Sequence, residues 1–203
     1  MTPRAALDLG LAELHLAVPD AARAQLIAYV TLLAKWNRTY NLTAIDDPLR
    51  MVSHHLLDSL VVLPHLPLSA AASLADAGSG AGLPGIPLAI ARPEWRVTLA
   101  ESSDKKCAFL RQAALELGLR NVEIHQGRVE QWQPVQRFAV VISRAFAELS
   151  RFFAACRHLI APGGLLAAMR GAPPAALETH CQLIALRVPL VDAQRHLVLC
   201  RPS

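Results

Sequence analysis

Long apolar runs are missing from this chain of 203 residues: no segment reaches the roughly 18 uninterrupted apolar residues that a membrane helix needs. The stretch Met1–Ala22 carries Asp8, Glu13 and Asp20, and lacks the basic start and unbroken apolar centre of a secretory signal. Both absences predict a cytoplasmic protein without a membrane partner, in which Asn37-Arg38-Thr39 and Asn41-Leu42-Thr43 match the glycosylation pattern but are not acceptors. Cysteine is scarce, and Cys107, Cys156, Cys181 and Cys200 are widely spaced. With no Cys-x-x-Cys pair there is neither a zinc or redox motif nor a disulfide framework, so the four read as reduced and mostly buried. Repeats and low-complexity segments are also absent. Lysine is rare, three against 17 arginines, and the net charge of +4 permits an anionic partner such as RNA without demanding one.

What is present suits a packed core: hydrophobic residues make up 53% of the chain and charged residues 18%. The length fits one domain with a helical extension and leaves no room for a second catalytic domain. Apolar residues recur at helical spacing from Asp20 to Trp36 and again from Pro48 to Leu63, with Pro48 placed as a first-turn proline. Pro64, Pro67 and Ser69 then mark a loop. We therefore expect one domain over 1–203, with a helical extension at 1–68 and an α/β core at 69–203.

From Ser73 onward β-prone and helical runs alternate. Ser73–Ala77, Arg96–Ala100, Val122–Gln126, Phe138–Ile142 and Leu165–Met169 read as strands. Pro84–Ala91, Asp104–Gly118, a short piece near Val129–Trp132, and Ala147–Ile160 read as helices. Such alternation predicts βαβ units and a doubly wound, Rossmann-like sheet that is mostly parallel. The tail differs: Gln182–Val188 and Arg195–Cys200 are joined by so short a link that they must pair antiparallel.

The first strand runs into Asp76-Ala77-Gly78-Ser79-Gly80-Ala81-Gly82-Leu83-Pro84-Gly85. Alternate glycines tolerate positive φ and, lacking Cβ, let a ligand lie on the backbone. One reading is dinucleotide binding, since Gly80 to Gly85 is a literal G-x-G-x-x-G with Glu101 near the position of a ribose-binding acid. The other is the loop of a methyltransferase that uses S-adenosylmethionine, with Asp76, Gly78, Gly80, Gly82 and Glu101 at the cofactor. The sign of charge separates them: a carboxylate at Asp76 suits an ammonium and a sulfonium and repels a pyrophosphate. The turn Ala161-Pro162-Gly163-Gly164 before the fifth strand and the antiparallel tail also fit a class I S-adenosylmethionine-dependent methyltransferase, and a nicotinamide-dependent dehydrogenase would need a substrate domain.

Acceptor chemistry belongs at the carboxyl end of the fourth strand, Ala139-Val140-Val141-Ile142-Ser143-Arg144-Ala145. No Asp/Asn-Pro-Pro-aromatic element and no nucleophilic cysteine stands there, which disfavours exocyclic amines and cytosine C5. A ring nitrogen such as guanine N7 carries an in-plane lone pair and no proton. It needs no general base, so orientation and shielding would supply the catalysis.

Several motifs occur together: Tyr40-Asn41-Leu42-Thr43, His55-Leu56-Leu57-Asp58-Ser59, Gly80-Ala81-Gly82-Leu83-Pro84-Gly85-Ile86-Pro87-Leu88, Phe109-Leu110-Arg111, Arg128-Val129-Glu130, Ile142-Ser143-Arg144-Ala145-Phe146 and Arg195-His196-Leu197-Val198. In this combination the chain resembles the ribosomal RNA small-subunit methyltransferase G family, also called glucose-inhibited division protein B, over almost its full length. The resemblance implies transfer of a methyl group to N7 of a guanine in 16S rRNA of the small ribosomal subunit. It places cofactor contacts at Gly78, Leu83, Val129, Glu130 and Arg144, and Arg144 is also a candidate for positioning the acceptor. One departure stands out: where the family has lysine before glycine after the fifth strand, this chain has Arg170-Gly171, which keeps the charge but changes its shape and hydration.

Other groups have two readings each. His54, His55 and Asp58 can suggest a metal site, but a helical surface or a wall of the acceptor pocket is the better reading and no metal is expected. Lys105, Lys106 and Arg111 read first as a solvated helix face and second as an RNA contact. Tyr40 can stack on an extruded base or pack in the core. The alternative to an active monomeric enzyme is a non-catalytic RNA-binding factor for ribosome assembly that keeps the same fold.

Overall fold

Helix signals at the amino end fold into a cap that precedes the sheet. The computed structural model describes residues 1–66, 72–144, 146 and 148–201. Helix α1 (Pro3–Glu13), which the sequence reading does not assign, starts at Thr2, whose hydroxyl accepts the Ala5 amide hydrogen, with proline in its first turn. It lies close against the chain near Leu57 because Gly10 has no side chain: a Cβ there would stand 2.2 Å from Leu57 Cδ1. Helix α2 (Asp20–Tyr40) begins where predicted and runs past Trp36 to Asn41, which ends it in the left-handed conformation. Arg4 pairs with Asp8 and Asp20, and Arg23 with Asp8, across α1 and α2.

The single helix expected over Pro48–Leu63 is divided. Helix α3 (Pro48–Met51), capped by the Asp47 carboxylate, passes into a π-helical turn (Val52–Leu57) before α4 (Asp58–Leu60). In that turn the Asp58 amide donates to the Ser53 carbonyl, five residues back. Such wide turns are rare and tend to mark functional sites, because they swing side chains out of helical register. Of the predicted loop, Pro67 and Ser69 lie outside the described residues, as does the expected boundary at 68/69.

The α/β part follows as β1 (Ser73–Ala77), α5 (Gly85–Ala91), β2 (Arg96–Glu101), α6 (Asp104–Glu116), β3 (Val122–Gln126), β4 (Phe138–Ser143), α7 (Leu149–Cys156), β5 (Ile160–Arg170), β6 (Cys181–Leu186) and β7 (Arg195–Cys200). The sheet order is β3-β2-β1-β4-β5-β7-β6. Neighbours are parallel except β7, which is antiparallel to both β5 and β6. The predicted class I α/β architecture is therefore present. The turn expected before the fifth strand is instead taken into it: Phe138 pairs with Ile160 and Val140 with Leu165, so residues 161–164 bulge out, with Gly163 at φ 74°. The predicted helix start at Ala147 falls outside the described residues.

Alternation along the strands separates two buried faces. Leu74, Val97, Leu99, Val140 and Ile142 pack with the amino-terminal helices, α5 and α6. Ala75, Ala77, Ala100, Val141 and Leu166 form the other face with Phe152 of α7. The cysteine reading needs correction: Cys107 and Cys156 are buried thiols, but Cys181 and Cys200 form a disulfide. They lie 19 residues apart in sequence, and the β6–β7 register sets them directly opposite each other. Spacing alone does not reveal a pairing made by sheet register. No helix among the described residues is long and apolar enough to cross a membrane.

Candidate active site

The glycine loop leaves β1 at the carboxyl edge of the sheet. Gly78, Gly80 and Gly82 all have positive φ, 71°, 59° and 88°. The loop is a tight coil in which the Gly82 and Leu83 amides donate to the Ser79 carbonyl at 2.7 and 2.9 Å. A Cβ on Gly82 would stand 2.4 Å from Ile86 Cδ1, so that glycine serves packing. One on Gly80 would meet nothing nearer than the Gly78 carbonyl at 4.0 Å, so this glycine faces open space in which a ligand can approach the main chain. Leu83 is buried in the first core.

Two carboxylates flank the loop as predicted, but both are engaged. Asp76 is fully buried on the α5 side of β1, and its Oδ2 accepts the Gly85 amide hydrogen at 2.8 Å, at the start of α5. Its Oδ1 is buried with no hydrogen-bond partner. Burial pushes this carboxyl up to about 7, against the lowering pull of the Gly85 amide and the Arg144 charge. An orphaned acceptor beside a glycine cradle fits a ligand that brings a cationic donor. Glu101 accepts three backbone amide hydrogens: Gly80 on Oε2 at 2.8 Å, and Ser102 and Ser103 on Oε1, each at 2.9 Å. A carboxylate has about four acceptor positions, so the one left lies on Oε2, with room for a single incoming hydroxyl. A second hydroxyl could be accepted only if the Gly80 amide yielded its place on Oε2.

Tyr29, which sequence reasoning missed, fixes the loop from outside. Its buried hydroxyl donates to the Ala81 carbonyl at 2.6 Å, and burial drives its ionisation well above the ordinary range. A helical tyrosine gives no sequence signal of a partner 52 residues away. Val129 and Glu130 lie in the single turn Val129–Gln131 after β3, Val129 buried against Ala77 and Ala100 and Glu130 exposed.

Beyond β4 the chain builds a cationic cleft of about 360 Å³, lined by His54, His55, Asp58, Arg144, Arg170 and Arg195 among others. Asp58 is its centre. Its carboxylate is 4% exposed, accepting from Arg144 at 3.0 Å on one oxygen and from Arg195 at 2.8 Å on the other. Arg144 also donates to the His54 carbonyl at 3.2 Å. The π-helical turn sets this geometry by placing His54 and Asp58 on one arginine, and both Asp58 oxygens hold guanidiniums rather than facing a metal.

His55 approaches Thr43 Oγ1 with its Nε2 at 2.9 Å, and burial followed by the Arg144 charge lowers its pKa to about 4. It is neutral at physiological pH. Asn37 holds the Tyr40–Thr43 segment, accepting the Thr43 amide hydrogen at 2.8 Å. Tyr40 itself is 44% exposed and leans on Trp36, so it is not a core residue. Ala145 of the fourth-strand motif lies outside the described residues.

Comparison with known proteins identifies the family. The family model for rRNA small subunit methyltransferase G matches residues 22–198. Proteins named ribosomal RNA small subunit methyltransferase G from Methylobacillus flagellatus and Laribacter hongkongensis are each 49% identical, over 95% of this chain and 95% of the relative. One from Burkholderia ambifaria is 50% identical over 93% of this chain and 88% of its own. Among solved structures, an S-adenosylmethionine-dependent methyltransferase from Aquifex aeolicus superposes with a TM-score of 0.56 at 19% identity, covering 79% of this chain and 96% of that one. Another, from Thiobacillus denitrificans in complex with S-adenosyl-L-homocysteine, gives 0.50 at 18% identity over 69% and 54%. The chain belongs to the rRNA small subunit methyltransferase G family and is an S-adenosylmethionine-dependent rRNA methyltransferase.

Proposed function

We propose that the methyl acceptor is N7 of a guanine in 16S rRNA of the small ribosomal subunit, received in the cleft around Asp58. The observation that carries this reading is the state of the cleft's carboxylate: Asp58, the only one among the described lining residues, has both oxygens held by arginines and is not free to take a proton. His55 is neutral, and its Nε2 is engaged with Thr43. An acceptor that must lose a proton would find no carboxylate free to take it, whereas N7 attacks with a lone pair and loses none. Such a cleft works by orientation and by excluding water.

S-adenosylmethionine supplies an electrophilic methyl group on a sulfonium sulfur. In this reading Gly78, Gly80 and Gly82 let its chain lie on the loop, and Asp76 Oδ1 and Glu101 Oε2 accept from its ammonium and ribose. Leu83, Val129 and Glu130 line the adenosine end. Arg144, held by Asp58 at the border of the two spaces, orients the acceptor or the cofactor carboxylate. Arg170 and Arg195 carry charge that suits the phosphates flanking the target, and Tyr40 stands exposed where a base can stack.

The test is to map 7-methylguanosine in 16S rRNA from cells with and without the gene, and to incubate the purified protein with subunits from the deletion strain and labelled S-adenosylmethionine. One guanine should lose its N7 methyl in the deletion and regain it in vitro. Label appearing on an exocyclic amine or on carbon would overturn the acceptor assignment.

A further inference from the structure

A second surface carries an RNA signature at the opposite edge of the sheet from the glycine loop. The link from β3 to β4, residues 127 to 137, must return from the carboxyl end of one strand to the amino end of the other while crossing β2 and β1. That path spans about 14 Å across the strands and about 20 Å along them, and the link reaches at most about 40 Å fully extended. The link holds only the turn Val129–Gln131. No helix in it covers the outer face of β2 and β3.

The uncovered face is a groove of about 580 Å³. Trp132, stacked on His125 with ring centroids 4.2 Å apart, walls one side, and Val135 stands fully exposed beside it. Three exposed arginines border it: Arg96 opens β2, Arg120 lies just before β3, and Arg137 just before β4. They converge because the amino ends of neighbouring parallel strands lie along one edge. The groove contains one carboxylate, Glu123, and the hollow adjoining it at Arg96 and Arg120 adds Glu94. Unlike Arg144 and Arg195, none of the three guanidiniums has a hydrogen bond or ion pair to a described residue.

We propose that this groove is a second docking surface for the RNA substrate, in which Arg96, Arg120 and Arg137 hold phosphates of the backbone away from the target nucleotide. The inference rests on the reading of the chain as an rRNA methyltransferase and adds where else the RNA lies. Unpaired guanidiniums on a groove with an aromatic wall match a polyanion with stackable rings, and such contacts supply affinity and register rather than sequence choice.

The test compares wild type with an Arg96→Ala/Arg120→Ala/Arg137→Ala variant of the full chain, after checking that their melting temperatures agree. Binding to small subunits from a deletion strain, and separately to protein-free 16S rRNA, is followed across salt concentrations. Methyl transfer and S-adenosylmethionine affinity are measured alongside. The expected result is a salt slope smaller by about 2 for both RNA probes, and a KM for subunits raised tenfold or more, with kcat and cofactor affinity unchanged.

An unaltered slope and KM would overturn the proposal, as would the same loss appearing instead in a Lys105→Ala/Lys106→Ala variant with the groove variant normal. Weakened binding to subunits with none to protein-free rRNA would assign the groove to a ribosomal protein and overturn RNA as its occupant. Because binding is read without methyl transfer, inactive wild-type protein would count against the proposed acceptor while leaving the groove tested.

Discussion

The glycine loop and the Asp58 cleft adjoin each other but are encoded in opposite ways. Asp76, the three glycines, Gly85 and Glu101 span a short stretch of chain, and their contacts to one another are mostly backbone to side chain. Asp58 instead gathers Arg144 from 86 residues away and Arg195 from 137 away. The loop is a local conformation that a motif can announce. The cleft is a tertiary product, and its chemistry depends on how a buried charge is divided between two partners.

The largest expected effects fall on the loop. Gly78→Asp forces a carboxylate into φ 71° beside Asp76 and Glu101, and should weaken S-adenosylmethionine binding more than a hundredfold by calorimetry. Gly80→Ala is the sharper variant. Its Cβ has room in the folded chain, so stability should fall only by the cost of a left-handed alanine, about 1–2 kcal/mol, while the methyl group occupies space the ligand needs. Normal cofactor affinity in Gly80→Ala would show that the ligand does not lie on this backbone.

For the cleft, Asp58→Ala leaves two arginines facing each other with no counter-charge. Removing one member of a buried ion pair costs about 3–5 kcal/mol. The arginine side chains are 27% and 25% exposed, so a loss of about 2–4 kcal/mol in urea unfolding is expected. Asp58→Asn, which keeps the shape, should fold better yet lower kcat at least tenfold with cofactor affinity within a few-fold. If kcat holds in Asp58→Asn, the orientation of Arg144 does not limit the reaction.

The same contrast explains what was legible beforehand. The alternation of strands and helices, the antiparallel tail and the loop follow from period, turn chemistry and motif, and β1 and β3 have the predicted ends. Helix α1 escaped because its apolar residues are interrupted by Asp8 and by Gly10, whose role appears only against Leu57. The π-helical turn escaped because Val52–Leu57 reads as ordinary helix, and the wide turn is fixed by tertiary partners. The Cys181–Cys200 pair escaped because β6–β7 register is a three-dimensional fact. Asp58 and Arg195 were visible as motif members, but nothing in their spacing predicts that they touch.

A smaller effect is expected from pH. Asp76 has a pKa of about 7 in the ligand-free protein, so below that value it is mostly protonated and must lose its proton to accept from an ammonium. Cofactor affinity should therefore fall as pH drops from 7.5 to 5.5, by up to about tenfold per unit, and Asp76→Asn should remove that dependence. Stability has the opposite trend. A folded-state pKa raised above the ordinary 3.8 contributes stability that is complete below that value and is lost as pH rises through about 7. The melting temperature of wild type relative to Asp76→Asn should thus decline across that window. Parallel curves would place the Asp76 titration elsewhere.

Tyr29→Phe tests the boundary between the two regions and should give the smallest change. It removes one buried hydrogen bond to the Ala81 carbonyl, between Gly80 and Gly82, and leaves that acceptor without its donor, a cost of about 1–2 kcal/mol. For a chain of this size that lowers the melting temperature by about 2–4 °C per kcal/mol. Since the ring stays packed near Phe109, the loss should appear as a looser loop: cofactor affinity a few-fold weaker, with kcat at saturation unchanged. A drop in kcat without a change in affinity would mean that α2 acts on the acceptor cleft, through Asn37 and Thr43, rather than on the cofactor loop.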